Sequence, residues 1–286
     1  MNRNYSPRRE HNIAQMLNHL ILCLLMMLLL YPLGLTMWGS LKGTLEFQNT
    51  QWYPTLPLWI ENYKEAYRAI WRYLLNTIIV GAVGTAGLLL QASVAAFVFA
   101  RMKFLGKEVL YTLVISLMMV PSILSLVPLY MIYKSLNLLN SYWALIVPMW
   151  TTGPIFGIFL LRVFFAAIPE EIFEAARIDG CGPAGLYARI CVPLSLSILG
   201  ALSVMSVIGA WNDLLWPVIA ISDNKYMTIS AGLVNRFVGS SAMGGSSTNY
   251  PILFSGYSLA SLPLIILFLF TSRTYVQGLT SSAVKM

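Results

Sequence analysis

Four of the 11 acidic residues of this chain lie between Glu170 and Asp179, in the polar stretch Ile168-Pro169-Glu170-Glu171-Ile172-Phe173-Glu174-Ala175-Ala176-Arg177-Ile178-Asp179-Gly180. The chemistry these side chains offer is recognition: carboxylates that accept charge-assisted hydrogen bonds from Arg or Lys on another surface. The stretch reads as a short helix with both ends specified. Pro169 suits the first helical position, where its missing N–H costs nothing. Glu170 and Glu171 put negative charge at the positive end of the helix dipole. Gly180 can leave the helix in a left-handed conformation. Gly182-Pro183 stop any continuation, and Ala184 to Cys191 can form a second short helix. Such a helix–turn–helix is either a plain connector or an element that docks on something at a membrane surface.

Other arrangements that could carry a reaction are missing from the sequence. The single Gly-Lys pair, Gly106-Lys107, is followed by Glu108 and lacks a preceding Gly-rich loop, so no Walker A site exists. His11 and His19 lie near the N-terminus without a Cys or carboxylate at ligand spacing, and no nucleophile elbow or metalloprotease helix occurs. Cys23, Cys181 and Cys191 form neither a metal pattern nor a disulfide framework and read as reduced structural residues. The clearest charge inside a hydrophobic segment is Asp213, in Gly209-Ala210-Trp211-Asn212-Asp213. An intramembrane carboxylate is a functional candidate by default; pinning of neighbouring helices is the plain alternative.

The elements that must position these residues are membrane helices. The chain has 286 residues, 58% hydrophobic and 10% charged, with a mean hydropathy of +0.71; a soluble domain carries about 25% charged residues. About six segments reach the ~20 residues needed to cross the hydrocarbon core: 13–37, 74–100, 109–133, 142–165, 194–221 and 253–273. The first is too long for a signal-peptide core and lacks a small-residue cleavage site, so it stays as a span. Pro121 and Pro128 in the third span, and Pro148 and Pro154 in the fourth, either shape a pathway or serve packing.

Charge placement gives an orientation. Arg3, Arg8 and Arg9, then Arg101, Lys103 and Lys107, then Arg177 and Arg189, then Arg273 and Lys285 all fall on one side of a six-span chain. That side is expected to be the cytoplasm. Lys42, Lys64, Arg68 and Arg72 on the other side weaken the signal and are partly offset by Glu46, Glu61 and Glu65. The net charge of +7 is spread among apolar segments without a dense basic patch, which excludes a nucleic-acid partner. Residues 59–72 read as an amphipathic helix along the outer surface, with Trp59, Tyr63, Tyr67, Ile70 and Trp71 on its interfacial face.

Glu174-Ala175-Ala176, three residues, Gly180, nine residues, Ile190, one residue and Val192-Pro193 resemble the EAA loop of ABC-importer permeases, with Val192 where that pattern has Leu. The resemblance extends along nearly the whole chain to the maltose-type carbohydrate permeases. It is carried by Glu61-Asn62-Tyr63, Asn76-Thr77, Ala100-Arg101, Met119-Val120-Pro121, Pro128-Leu129-Tyr130 and Leu138-Leu139-Asn140-Ser141-Tyr142-Trp143. It continues in Trp211-Asn212-Asp213, Trp216-Pro217 and Gly278-Leu279-Thr280.

The resemblance implies an all-α integral membrane protein of about six transmembrane helices with a cytoplasmic helix–turn–helix coupling loop, the type I ABC-importer permease fold. It implies a cytoplasmic tail over 1–12, a permease domain over 13–273 with the loop at 168–193, and a cytoplasmic tail over 274–286, in a prokaryotic inner membrane. It implies a second homologous permease, two ATPase subunits that bind the ATP and Mg, an extracytoplasmic substrate-binding protein and surrounding lipid; no cofactor is expected in this chain. The coupling residues on this reading are Glu170, Glu171, Glu174, Ala175, Ala176, Asp179, Gly180, Ile190 and Pro193. In such a loop Ala175 and Ala176 allow close approach of the ATPase. Trp211, Asn212 and Asp213 are structural or pathway candidates, and Gly239, Gly244 and Gly245 mark a flexible outer loop that either reaches the binding protein or merely connects. The imported solute is expected to be a sugar or oligosaccharide. A self-sufficient ion-coupled transporter is the alternative; it calls for several buried carboxylates, which this chain lacks.

Overall fold

The computed structural model describes the backbone of residues 7–239 and 249–283, and side chains over 15–237 and 249–271. Arg3, Gly244, Gly245 and Lys285 lie outside the described residues. Long apolar runs give long helices, α1 (Pro7–Ser40), α3 (Glu61–Arg101) and α14 (Tyr250–Ala283), which continue through Pro32 in α1 and Pro263 in α14. A short α2 (Thr44–Asn49) follows α1. Between α3 and α14 the chain is cut into shorter helices, α4 (Lys107–Ser116), α5 (Leu126–Ser135), α6 (Tyr142–Thr151) and α7 (Pro154–Ala166). Then come α8 (Glu170–Ile178), α9 (Pro183–Leu186), α10 (Val192–Leu194), α11 (Leu196–Asn212), α12 (Leu215–Ala220) and α13 (Ile229–Leu233).

Among the described residues, four segments are long and apolar enough to cross a membrane: Gln15–Ser40, Glu61–Arg101, Tyr142–Ala166 and Tyr250–Thr271. Two bent pairs bring the total to six if each counts as one span. The stretch 109–133, expected as one span, is two helices meeting at 92°. Pro121 has an extended backbone between two 3-10 turns, Leu117–Met119 and Ser122–Ser125, and has no N–H with which to continue the helix. The stretch 194–221 is likewise interrupted: α11 ends at Asn212, and Asp213 is extended. The expected surface helix at 59–72 starts at Glu61 and is the first part of α3, without a break before the membrane segment. Ile70, placed on its interfacial face by sequence, is fully buried. At the other end of the chain α14 runs past 273 to Ala283.

The chain divides into two units, Met1–Ala69 with Ser240–Leu259, and Ile70–Gly239 with Ala260–Met286. In the first, the buried Ser40 hydroxyl lies 2.7 Å from the Tyr63 hydroxyl, and the Ser40 carbonyl accepts from Asn62 at 2.8 Å and from Ser255 at 3.1 Å. Lys42, counted above among the charges on the opposite side, is fully buried. Its ammonium donates to the Thr50 carbonyl and, at 2.5 Å, to the Tyr53 carbonyl, and so ties down the segment after α2. Burial pushes its pKa down, and the nearby Glu46 only partly offsets this.

The second unit has one large apolar core in which Ala92, Ala96, Leu161, Phe165, Phe173 and Cys191 have no exposed surface. A polar knot is set apart from it. Asn76, also buried, donates to the carbonyls of Lys225 and Met227 at 2.9 Å each, and its Oδ1 accepts from the Tyr142 hydroxyl at 2.8 Å. Replacing Asn76 with Leu orphans these groups, at about 1–3 kcal/mol each. The expected outcome is a clear drop in apparent melting temperature of the detergent-solubilised chain; an unchanged value would show that the knot adds no stability.

Candidate functional site

The helix–turn–helix begins one residue later than the sequence suggested. Pro169 is the residue before the helix, extended at φ −55 and ψ 136, and Glu170 takes the first helical position. Placing a proline there still stops upstream continuation, because the preceding Ile168 is biased away from helical geometry. The far end of α8 closes as the composition demands. Gly180 has φ +81, its N–H bonds the Arg177 carbonyl at 3.0 Å, and the Cys181 N–H bonds the Ala176 carbonyl at 2.9 Å. This is the paired-bond C-cap that needs a left-handed residue, which glycine supplies at no steric cost. The second helix starts at Pro183, not Ala184, passes through a π-helical turn at Tyr187–Cys191 and ends at Leu194.

One face of α8 is fixed to the membrane helices. Phe173 is completely buried in the core. Arg101, at the end of α3, has a side chain only 9% exposed. Its Nε donates to the Phe165 carbonyl at 3.0 Å, and Nη2 donates to that carbonyl at 2.5 Å and to the Ile168 carbonyl. Nη1 pairs with Glu170 Oε2 at 2.6 Å, and the guanidinium lies 4.1 Å above the centre of the Phe173 ring. The same Glu170 accepts from Arg177 at 2.8 Å through its other oxygen. On the second helix, the Tyr187 hydroxyl lies 2.7 Å from that of Ser93 in α3, and Tyr187 packs against Phe97. Ile190 packs against the core, whereas Pro193 is exposed.

The opposite face of α8 is bare. Glu171, Glu174, Ala175 and Ile178 fall at i, i+3, i+4 and i+7, on one side of a helix, and all are exposed; Ile178 is 86% exposed. Asp179 and Gly180 extend this surface. The two alanines are not equivalent. Ala175 faces out, while Ala176, expected to meet a partner, packs inward on the protein's own core.

Asn212 and Asp213, beyond this loop in the chain, line a cavity of about 470 Å³ within the second unit, and Trp211 precedes them without lining it. Trp211 is buried, and its carbonyl accepts the Ser230 hydroxyl at 2.5 Å. Gly153, at the break between α6 and α7, also lines the cavity; a Cβ there would lie 2.3 Å from the Met149 carbonyl oxygen. Gly239 ends a π-helical turn, Val234–Gly239. Among the described residues no group of His, Cys, Asp and Glu could hold a metal ion.

Sequence reasoning took Arg101 for a topology charge and passed over Arg162. Arg162 in α7 holds both oxygens of Glu108 at 2.8 and 2.9 Å and stacks 3.7 Å from the centre of the Tyr111 ring. An arginine inside an apolar run was the available signal.

The family described as the binding-protein-dependent transport system inner membrane component matches residues 92–281. The chain belongs to this family. The permease is 32% identical to the probable ABC transporter permease protein YurM of Bacillus subtilis (strain 168), over 98% of this chain and 91% of that protein. It is 30% identical to the arabinooligosaccharides transport system permease protein AraQ of the same strain, over 93% of this chain and 94% of that one. A solved structure of a bacterial ABC transporter involved in the import of the acidic polysaccharide alginate shares the fold. Its TM-score is 0.82 at 18% identity, covering 95% of this permease and 99% of that chain.

The Arg101–Glu170–Arg177 network generates a pH prediction. The hydrogen bond from Arg177 holds the Glu170 carboxyl below its ordinary range; partial burial opposes this and the charge of Arg101 adds to it. A depressed folded-state pKa contributes stability that is complete above the unfolded value and is lost as pH falls through the folded one. Amide protection across 170–178, corrected for intrinsic exchange, is therefore expected to hold from pH 7 to about 5 and to fall modestly below about 4.3. Glu170→Gln is expected to be less protected at pH 7 and flat with pH. Arg101→Gln, which also removes the guanidinium bonds to the Phe165 and Ile168 carbonyls, is expected to speed exchange about tenfold or more. Protection unchanged in Arg101→Gln would show that the guanidinium does not hold the helix.

Proposed function

We propose that this permease is the membrane subunit of an ATP-driven importer, and that the outward face of α8 is where a separate ATPase subunit docks. Family membership supports the transport role and dependence on a binding protein. The observation that carries the docking assignment is the division of α8 into a fixed face, through Arg101, Glu170, Phe173 and Ala176, and a bare one, Glu171, Glu174, Ala175 and Ile178. A helix fixed on one side can transmit a push received on the other. Glu171 and Glu174 offer carboxylates to Arg or Lys, Ala175 permits close approach, and Ile178 is an apolar anchor of the kind that interfaces bury.

On this reading the chain forms half of the solute path beside a second homologous permease. Two ATPase subunits bind the ATP and Mg and do the hydrolysis, and this chain has no catalytic role of its own. An extracytoplasmic binding protein delivers the solute, and lipid covers the remaining apolar surface. The loop at 168–193 and both termini are cytoplasmic in a prokaryotic inner membrane, which the placement of Arg and Lys supports. The solute is a sugar or oligosaccharide, the class named for the AraQ relative. Closure of the ATPase pair moves the loop as a rigid body and switches the access of the path.

Affinity purification from the native membrane tests the docking. Wild type is expected to bring an ATPase and a second permease. Glu174→Lys and Ile178→Asp are expected to keep the second permease and lose most of the ATPase. Full retention of the ATPase by both variants would overturn the assignment of this face.

A further inference from the structure

Three helix breaks meet around two adjoining cavities in the second unit. The first, of about 470 Å³, takes in Thr152 and Gly153 from the α6–α7 break and Asn212 and Asp213 from the α11–α12 break. The second, of about 740 Å³, is walled by the broken stretch from Leu117 to Leu126. The two share Leu145, Pro148, Met149, Thr152 and Asp213. Irregular backbone at membrane depth is tolerated where it lines a water-filled cavity or is buried in protein, and both volumes are of the size that takes small ligands.

The polar groups on these walls are few and largely unspent. Asp213 is the one charged residue lining either cavity, among the described residues. Its carboxylate takes the backbone N–H of Trp216 and keeps further lone pairs open. The Asn212 amide has no protein partner among the described residues. Ser206 accepts from Thr85 at 2.9 Å, which leaves its own hydroxyl proton to donate. Thr228 is 1% exposed and lines the first cavity, and its Oγ1 has no hydrogen-bond partner. An unpaired hydroxyl at such burial costs stability unless something bonds it, and it stands on the wall that carries Asp213.

We propose that these cavities are a charge-selective solute site in which Asp213, Asn212 and Thr228 bind the hydroxyl groups of uncharged polyols and sugars and Asp213 turns anionic solutes away. The carboxylate accepts from sugar hydroxyls, and the amide and the threonine both donate and accept. Among the described residues no basic group lines either wall, so an anion entering here loses water and meets the Asp213 carboxylate with no compensating cation. The inference rests on the importer reading above and narrows its substrate class.

The test uses the assembled complex in native membranes, in a chain carrying Cys23→Ser and Cys181→Ser. A reporter thiol is placed on the wall by Ser206→Cys, with Thr152→Cys as a second position. Cationic ethylammonium and anionic ethylsulfonate methanethiosulfonates are then compared. With Asp213 present, the cationic reagent is expected to react about tenfold faster than its ratio on free thiol predicts, and Asp213→Asn is expected to abolish that excess. At least one of arabinotriose and maltotriose is expected to slow labelling, and trigalacturonate is not. An excess that survives Asp213→Asn, reporters inert to both reagents, equal protection by trigalacturonate, or no protection by either neutral trisaccharide would each overturn the proposal. Co-purification of the ATPase is scored on the same membranes, so failure of the importer reading is seen separately.

Discussion

The guanidinium of Arg101 is the contact on which the polar loop depends. It meets three demands in one place. The last turn of α7 leaves carbonyls without intrahelical donors, as every helix end does, and Arg101 supplies donors to Phe165 in that turn and to Ile168 just beyond it. The first turn of α8 carries Glu170 at its positive end, and Arg101 fixes that carboxylate's position. The ring of Phe173 needs a dry neighbour, and the flat, weakly hydrated guanidinium covers it. A lysine could satisfy one of these demands but not all three. The value of the contact lies less in the ion pair, which is half open to water on the Glu170 side and worth little there, than in the donors it brings to the Phe165 and Ile168 carbonyls.

This arrangement explains why so polar a helix has a defined place. An isolated nine-residue helix is marginal in water. Here its ends are closed by Glu170 and by the bonds around Gly180, and one face is committed to the core through Phe173 and Ala176. What remains outward is a fixed display of Glu171, Glu174, Ala175 and Ile178. The second helix is held separately, by Tyr187 against Ser93 and Phe97, so both helices are referred to the same stretch of α3.

Much of this was legible in the sequence wherever the cause is local. The left-handed turn at Gly180, the acidic first turn of α8 and the long helices follow from residue types over a few positions. The limits of local reading are equally specific. Arg101 lies 69 positions from Glu170, and nothing in its own neighbourhood distinguishes a buried pin from a topology charge. The burial of Lys42 was hidden for the same reason, although its partners are carbonyls only 8 and 11 residues on. Ala175 and Ala176 are chemically identical, and only the rotation of the helix, set by Phe173, sends one out and the other in. Asp213 was visible as an oddity, but the cavity beside it is made by breaks at Pro121, Gly153 and Asp213 that come together only in the fold.

The two regions of interest are joined by the chain itself. After α9 and the π-helical turn, α10 bends by 77° at Ser195 into α11, and α11 ends where Asp213 begins. At 1.5 Å per residue the 17 residues of α11 span about 25 Å, of the order of the hydrocarbon thickness. A displacement received by α8 reaches α9 through the short turn at Gly180 and then acts on the foot of α11 through that bend. The upper end of α11 cannot move without altering the wall that Asp213 and Asn212 share with the broken helices opposite. If the outward face of α8 is the input, as proposed, α11 is a rod between input and cavity. The helix breaks are then what that end can work against, because backbone freed from regular hydrogen bonding can be rearranged at lower cost than a packed helix can be bent.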